Sequence, residues 1–341
     1  MSIPQEKTNV KIVFGTMTFG REGVEQSRVH SLKDCQAILD VFKQHGHIEL
    51  DTARMYGSGS SEEYLRDMGV EAQGFKVATK VFPSARMPGR PGDWTPYDHT
   101  TDGVQRAHSD SSKALGTDKV DLYYLHAPDR EVKFEETLAA INDLHKAGHF
   151  SRFGISNYKA EEVEEIISIC DQKGYVKPSV YQGLYNSIAR SAEKELIPVL
   201  RKHGLSYYCY NPLGGGFFTG AITAPDDKVE SGSRFDATKW QGASYRKRYY
   251  RDEYFKALKV VRAASEKAGL TMAEVALRWM QHHSALSTKE HGDAIIIGAS
   301  SLKHIEANLV DFEKGPLPQE VVQAVDEAWK IVEPNAPPYH F

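Results

Sequence analysis

The strongest constraint on this chain is a regular alternation of strand-like and helix-like segments along nearly all of its 341 residues. Short apolar stretches over 11–14, 48–50, 75–79, 120–125, 153–155, 180–182, 205–210 and 294–297 read as strands. The run 120–125 is apolar almost throughout, as suits a strand buried on both faces. Segments with helical periodicity follow them: 31–45, one starting near Ser60 or Ser61, 102–115, 135–146, 160–173, 192–203, 253–268, 272–282 and 302–309, with an additional C-terminal helix over 320–331. In the first, Leu32, Cys35, Ile38, Leu39 and Phe42 recur at helical spacing, Ser31 and Asp34 form a capping pattern, and Gly46 ends the helix. About eight β-then-α units result, the count that closes a parallel barrel. An open doubly wound sheet would use the same alternation. However, no G-x-G-x-x-G follows the first strand, and no Pro/Gly/Ser-rich linker divides the chain. The expected fold is therefore α/β, a (β/α)8 TIM barrel forming one domain over 1–341. Its long irregular loops, 84–98 and 221–244, follow strands and so belong at the C-terminal mouth.

Composition excludes several classes. Hydrophobic residues make up 40% and charged residues 26%, enough for a large core, and the formal net charge of -4 argues against a nucleic-acid partner. No apolar run reaches the length of a membrane span, and the polar N-terminus lacks the apolar stretch of a secretory signal. Cys35, Cys170 and Cys209 are odd in number and far apart, which fits neither a disulfide framework nor a zinc site and predicts a reducing, cytoplasmic setting.

In such a barrel the C-terminal ends of the strands face the active site. Asp51 ends the second strand, Tyr56 lies in the loop just after it, Lys80 ends the third and His126 the fourth. Adjacent strands lie ~4.8 Å apart, so these side chains can converge. Singly, each has a plainer reading: a turn cap for Asp51, interfacial packing for Tyr56, a solvated head for Lys80, a structural donor for His126. Jointly they suit carbonyl reduction. A free phenol with pKa ~10 is a weak acid at neutral pH, and a neighbouring ammonium, Lys80, would lower it. Asp51 would keep Lys80 charged, His126 would donate a hydrogen bond to the substrate oxygen, and Tyr56 would be the general acid.

Those four residues, in that order at those strand ends, resemble the tetrad of the aldo-keto reductases. Further segments are similar to the aflatoxin aldehyde reductase and succinic semialdehyde reductase branch: YLHAPD at 124–129, GISNY at 154–158, VYQGLYN at 180–186, NPLGGG at 211–216, RWMQHH at 278–283 and HGDA at 291–294. The resemblance spans nearly the whole chain. It implies an enzyme that reduces aldehydes, ketones, dicarbonyls or carboxylate-bearing aldehydes with NADPH, bound without a Rossmann fold. By resemblance, Asp51, Ser156, Asn157 and Gln182 meet the nicotinamide end and Tyr210 stacks on the ring. Asn211, Pro212, Leu213, Gly214, Gly216 and Gly220 wrap the pyrophosphate, and Arg234 touches a cofactor phosphate. Glycine lets backbone amides approach an anion closely. Ser300, Ser301 and Lys303, opening the helix after the last strand, suit the 2′-phosphate. Glu306 and Asn308 match positions near the adenosine, and His304 stands where many members have arginine. Tyr245 and Arg248, with His126, would hold a small carbonyl substrate, an arginine fork matching a carboxylate. The family also implies a homodimer and detoxification. Its potassium-channel β-subunits keep barrel and tetrad in a regulatory role, and secondary-metabolism dehydrogenases share the chemistry.

Other patterns fail. Gly15 to Gly20 has phosphate-loop glycine spacing, but Arg21 and Glu22 replace the required Lys-Ser/Thr. No Tyr is followed four residues later by Lys, and His45, His47, His282 and His283 lack further ligands at metal spacing, so no metal is expected.

Overall fold

The computed structural model describes residues 4–87 and 96–341. Positions 88–95 of the expected mouth loop 84–98 lie outside the described residues. Strands β1 (Lys11–Gly15), β2 (Glu49–Asp51), β3 (Lys76–Val81), β4 (Val120–Leu125), β5 (Phe150–Ser156), β6 (Val180–Leu184), β7 (Ser206–Tyr210) and β8 (Ala294–Ile297) pair in parallel in that order, and β8 returns to β1 to close the barrel. Closure leaves no sheet edge exposed. Helices α1 (Leu32–Gln44), α2 (Ser60–Asp67), α3 (Thr101–Leu115), α4 (Phe134–Lys146), α5 (Ala160–Lys173) and α6 (Leu196–His203) follow β1 to β6 in turn. The long connection between β7 and β8 carries α7 (Trp240–Tyr249), α8 (Asp252–Lys267), α9 (Met272–His282) and the single turn α10 (Thr288–His291). Helix α11 (Leu302–Phe312) follows β8, and α12 (Gln319–Val332) packs on α8.

The expected (β/α)8 barrel with its C-terminal helix is thus present, with two local differences. The helix expected over 192–203 begins only at Leu196, after a separate 3-10 turn at Ser191–Glu193. Pro198 explains the break: it has no N–H to continue the ladder, and its ring collides with the carbonyl four residues back. The stretch expected to be irregular through 244 turns helical at Trp240. Helix α7 has no apolar stripe and buries only Gly242 and Tyr249. Tertiary contacts hold it instead: Tyr249 stacks on Phe217 with ring centroids 5.7 Å apart and meets Tyr254 edge-on at 5.6 Å. The basic run Tyr245 to Arg251 lies at the end of this helix.

Strand periodicity then positions everything else. Successive side chains point to opposite faces, so alternate residues fall into two clusters. Ile12, Phe14, Leu50, Val77, Tyr123, Leu125, Phe153, Ile155, Tyr207, Ile295 and Ile297 pack outward under the helices. Val13, Ala78, Leu122, Tyr124, Val180, Tyr208, Ala294 and Ile296 fill the barrel interior. Two residues below that layer, Lys11 donates to Glu49 (3.0 Å) and to the Tyr208 hydroxyl (3.1 Å), and Arg152 joins both, plugging the bottom with a closed polar network. Two residues above it stand Lys80, His126, Gln182, Tyr210 and Gly298, in the same parity as Asp51 and Gly15. Register alone therefore aims the polar strand ends into the mouth.

The β7–β8 seam is held by Asp293, fully buried, whose oxygens accept from Arg201 (2.8 and 2.6 Å) and from the backbone amides of Tyr207 (2.7 Å) and Ser287 (2.8 Å). Asp293→Ala strands a guanidinium and two amides. We expect it to lower stability by roughly 3–5 kcal/mol, read as a fall in the urea midpoint, whereas Asp293→Asn, which keeps the shape and one of the two acceptor oxygens, loses less.

Candidate active site

The mouth is organised around one buried ion pair. Lys80 Nζ donates to Asp51 Oδ1 at 2.6 Å and to the Thr52 carbonyl at 2.8 Å, and Gln182 Nε2 donates to Asp51 Oδ2 at 2.8 Å. Lys80 is 1% and Asp51 3% exposed. The other two members of the set, Tyr56 and His126, keep partial exposure and so form its open side. The Lys80 ammonium lies 4.9 Å from the Tyr56 ring centroid. The His126 ring meets Tyr56 edge-on, centroids 5.8 Å apart, and is backed by Phe82 at 5.5 Å. Four residues separated by up to 75 positions in sequence thus form one cluster, as the strand-end reading expects.

Tyr56 is carried on an unusual turn. Its amide donates to the Ala53 carbonyl at 2.9 Å, and the next three residues, Gly57, Ser58 and Gly59, all have left-handed φ (56°, 51° and 92°). Glycine adopts this readily, while Ser58 is strained by about 1–2 kcal/mol.

Electrostatics differ from the sequence expectation. Burial, then the Asp51 carboxylate, push the Tyr56 phenol well above its ordinary pKa, and Arg234 acts in the opposite direction. The downward shift expected from Lys80 is not what is found: desolvation of the phenolate dominates, and the cation that opposes it is Arg234. Burial lowers the Lys80 pKa, with Asp51 opposing.

The remaining expected residues fall into a hydrogen-bonded arc and an outer group. Beyond β5, Asn157 is left-handed (φ 65°). Its Nδ2 donates to the His126 carbonyl and to Ser156 Oγ, both at 2.9 Å, and its Oδ1 accepts from the Tyr210 hydroxyl at 2.8 Å. Both amide protons are therefore committed, leaving Asn157 an acceptor position to offer. Burial pushes the Tyr210 phenol up to about 12, with Arg248 opposing. Asn211 is also left-handed (φ 66°), and its Oδ1 accepts from Tyr245 (2.8 Å) and Arg234 (3.4 Å). Its Nδ2 is buried without a partner among the described residues.

Pro212 is buried and Leu213 half-buried, and they lead into a turn whose Gly214, Gly215 and Gly216 have φ of 59°, 71° and 104°. At Gly215 a Cβ would lie 2.2 Å from the Tyr245 ring. Gly220 ends the turn, its carbonyl accepting from Arg262 at 3.1 Å. Arg234 and Arg248 flank the Tyr245 ring at 5.7 and 5.8 Å, and neither has a carboxylate partner among the described residues. An orphaned buried amide, a glycine cradle and two guanidiniums without a carboxylate partner fit an anionic, elongated ligand such as a nicotinamide dinucleotide.

The outer group sits on α11. Ser301 caps it, accepting from the His304 amide at 3.2 Å, and Ser300 Oγ lies 3.1 Å from His304 Nδ1. Lys303, His304 and Glu306 are exposed, while Asn308 is buried. Three participants went unmarked in the sequence: the Thr52 carbonyl, and the pair Arg54 and Glu62.

The loop carrying His126 rests on Asp129, which accepts from the amides of His99 (3.1 Å) and Glu131 (3.2 Å) and from Arg86 Nε (3.2 Å).

The match to known proteins agrees with this geometry. Residues 11–330 match the model of the aldo/keto reductase family. The chain is 43% identical to an aldo-keto reductase of Pseudocercospora fijiensis over 89% of this chain and 99% of that one. It is 42% identical to aldo-keto reductase pigE of Monascus ruber over 98% of each. It is 40% identical to human aflatoxin B1 aldehyde reductase member 2, over 97% of this chain and 89% of the relative. Among the described residues no helix is long and apolar enough to cross a membrane, and no cluster of metal-ligating side chains occurs.

Burial pushes His99 down to about 4, and His108 on α3 likewise to about 4. The unfolded chain takes up these protons near pH 6.5 and the folded one only near 4, so stability falls as pH falls through that interval. We expect the thermal midpoint to drop between pH 6.5 and 4, and less steeply in His99→Gln.

Proposed function

Because the chain belongs to the aldo/keto reductase family and is therefore an oxidoreductase of carbonyl compounds, we propose that it reduces aldehydes and ketones to alcohols with NADPH, and that Tyr56 supplies the proton. Members of the family use nicotinamide cofactors. The observation that carries the reading is the buried Lys80–Asp51 pair set against the Tyr56 ring, with His126 edge-on at the barrel mouth.

When bound, the cofactor supplies hydride to the carbonyl carbon. The chain's own residues handle the oxygen. His126 orients it by hydrogen bonding. The raised pKa keeps Tyr56 fully protonated at neutral pH, which is the form that donates. As negative charge grows on the substrate oxygen the proton moves to it, and the Lys80 ammonium stabilises the phenolate left behind. Asp51 and the Thr52 carbonyl fix that ammonium in place.

The first turn of α11, with Ser300, Ser301 and Lys303, supports a preference for the 2′-phosphate of NADPH, and His304 would take the place of an arginine there. Asn211 and the glycine turn would receive the pyrophosphate, with Arg234 beside it. Asn157, Ser156 and Gln182 would meet the nicotinamide amide. Arg248 and Tyr245 support a substrate that carries a carboxylate or a second carbonyl. The three buried cysteines, none of them in a disulfide, support a cytoplasmic setting.

Tyr56→Phe should lower kcat by roughly 10²–10⁴-fold while NADPH still quenches protein fluorescence with unchanged affinity. Near-normal turnover of 4-nitrobenzaldehyde by this variant would overturn the donor assignment. Arg248→Gln should lower kcat/KM for 2-carboxybenzaldehyde by roughly 10–100-fold and change it far less for 4-nitrobenzaldehyde. An equal loss on both substrates would remove the carboxylate role.

A further inference from the structure

One buried charged cluster takes no part in the chemistry above. Arg54 leaves the chain two residues before Tyr56, and its guanidinium lands beyond the Tyr56 turn, paired with Glu62 in the first turn of α2. The Glu62 side chain is 0% exposed and that of Arg54 16%. The guanidinium lies so close over Gly59 that a Cβ there would sit 1.6 Å from Arg54 Nη2. The second Glu62 oxygen accepts from Thr79 Oγ1 at 2.6 Å, and Thr79 directly precedes Lys80 on β3. The Arg54 amide also donates to the Lys80 carbonyl at 3.4 Å.

We propose that Arg54 and Glu62 are positioning residues for the proton donor, an ion pair that fastens the Tyr56 turn to the strand carrying Lys80. The inference rests on the reading of Tyr56 as that donor. Three successive left-handed residues follow Tyr56, one of them a serine, and such a turn persists only where its surroundings hold it. Arg54 bridges its two ends, and Glu62 joins the bridge to β3 through Thr79. The strand that presents Lys80 is thus referred to the same frame as the phenol. A buried ion pair is weak support for stability, because desolvation cancels much of its attraction. Its ties to the turn that carries the donor and to the strand that carries the ammonium indicate alignment instead. Glu62 adds a second effect, since its charge is one of those that favour the protonated Lys80. Burial raises the Glu62 pKa, and Arg54 is the main influence opposing that.

The test compares Arg54→Met, Arg54→Lys, Glu62→Gln and Thr79→Val with the unmodified enzyme, using NADPH and 4-nitrobenzaldehyde. The readouts are kcat, KM, NADPH affinity by fluorescence, the solvent deuterium isotope effect on kcat, and melting temperature. Arg54→Met should lower kcat by roughly 10–100-fold, with KM and NADPH affinity little changed and a larger isotope effect, since proton donation becomes slower. Arg54→Lys should recover most of the loss, and Glu62→Gln should resemble Arg54→Met. A folded Arg54→Met with unchanged kcat, or with a loss confined to KM or to NADPH affinity, overturns the proposal. So does a lowered melting temperature without a change in kcat. Should Arg54→Met fail to fold, Thr79→Val decides: it keeps the ion pair and nearly the same volume, so reduced kcat with a raised isotope effect supports the link to β3, and unchanged kcat overturns it. Near-normal turnover by Tyr56→Phe would instead remove the underlying donor reading, whatever the Arg54 variants do.

Discussion

The mouth of this barrel depends on a lysine that stays charged where water scarcely reaches it. Taking an ammonium out of water costs several kcal/mol even after relaxation, and burial does lower the Lys80 pKa. The carboxylate at 2.6 Å and the Thr52 carbonyl at 2.8 Å offset that cost. A well-packed apolar pair in the same volume would hold the barrel equally well, or better by about 1–4 kcal/mol. The pair therefore makes sense as chemistry rather than as cohesion. Its second carboxylate oxygen is taken by Gln182 from the far side of the barrel, so strands β2, β3 and β6 meet at a single charge.

The rest of the mouth is arranged around that charge by polarity. Tyr56 and His126 occupy the open side. The arc from Asn157 through Tyr210 to Asn211 and Tyr245 commits almost every polar atom to a partner; one Asn211 amide group is left over, and Arg234 and Arg248 have no carboxylate partner among the described residues. An arc with a spare amide donor, two arginines and no spare carboxylate suits the anionic ligand proposed for it. Glycines in left-handed conformations keep side chains out of the same space, and at Gly215 the neighbouring Tyr245 ring would collide with any Cβ.

Much of this is legible in the sequence, and for a physical reason. Asp51, Lys80 and His126 sit at predictable ends of predictable strands, and the period of two fixes which way they point. What could not be read belongs to interactions without local periodicity. Helix α7 has no apolar stripe, and tertiary contacts with Phe217, Phe235 and Tyr254 hold it. The late start of α6 was signalled by Pro198, whose effect the periodicity of its neighbours masked. The direction of the Tyr56 shift needed burial, a property that no spacing reveals. Arg54 and Glu62 are eight positions apart across a Gly-Ser-Gly turn, and nothing short of the turn's left-handed path brings them together.

Closure of the barrel by β1 on β8 has a temporal side. A ribosome that has completed β7 has already released all four tetrad residues, yet the ring is still open, because Ile12 and Val13 await Ile295 and Ile296. Pairing between the two ends of a long chain is slow, since the loop entropy must be overcome before any contact rewards it. The pocket around the buried lysine is therefore finished only when the last strand joins the first.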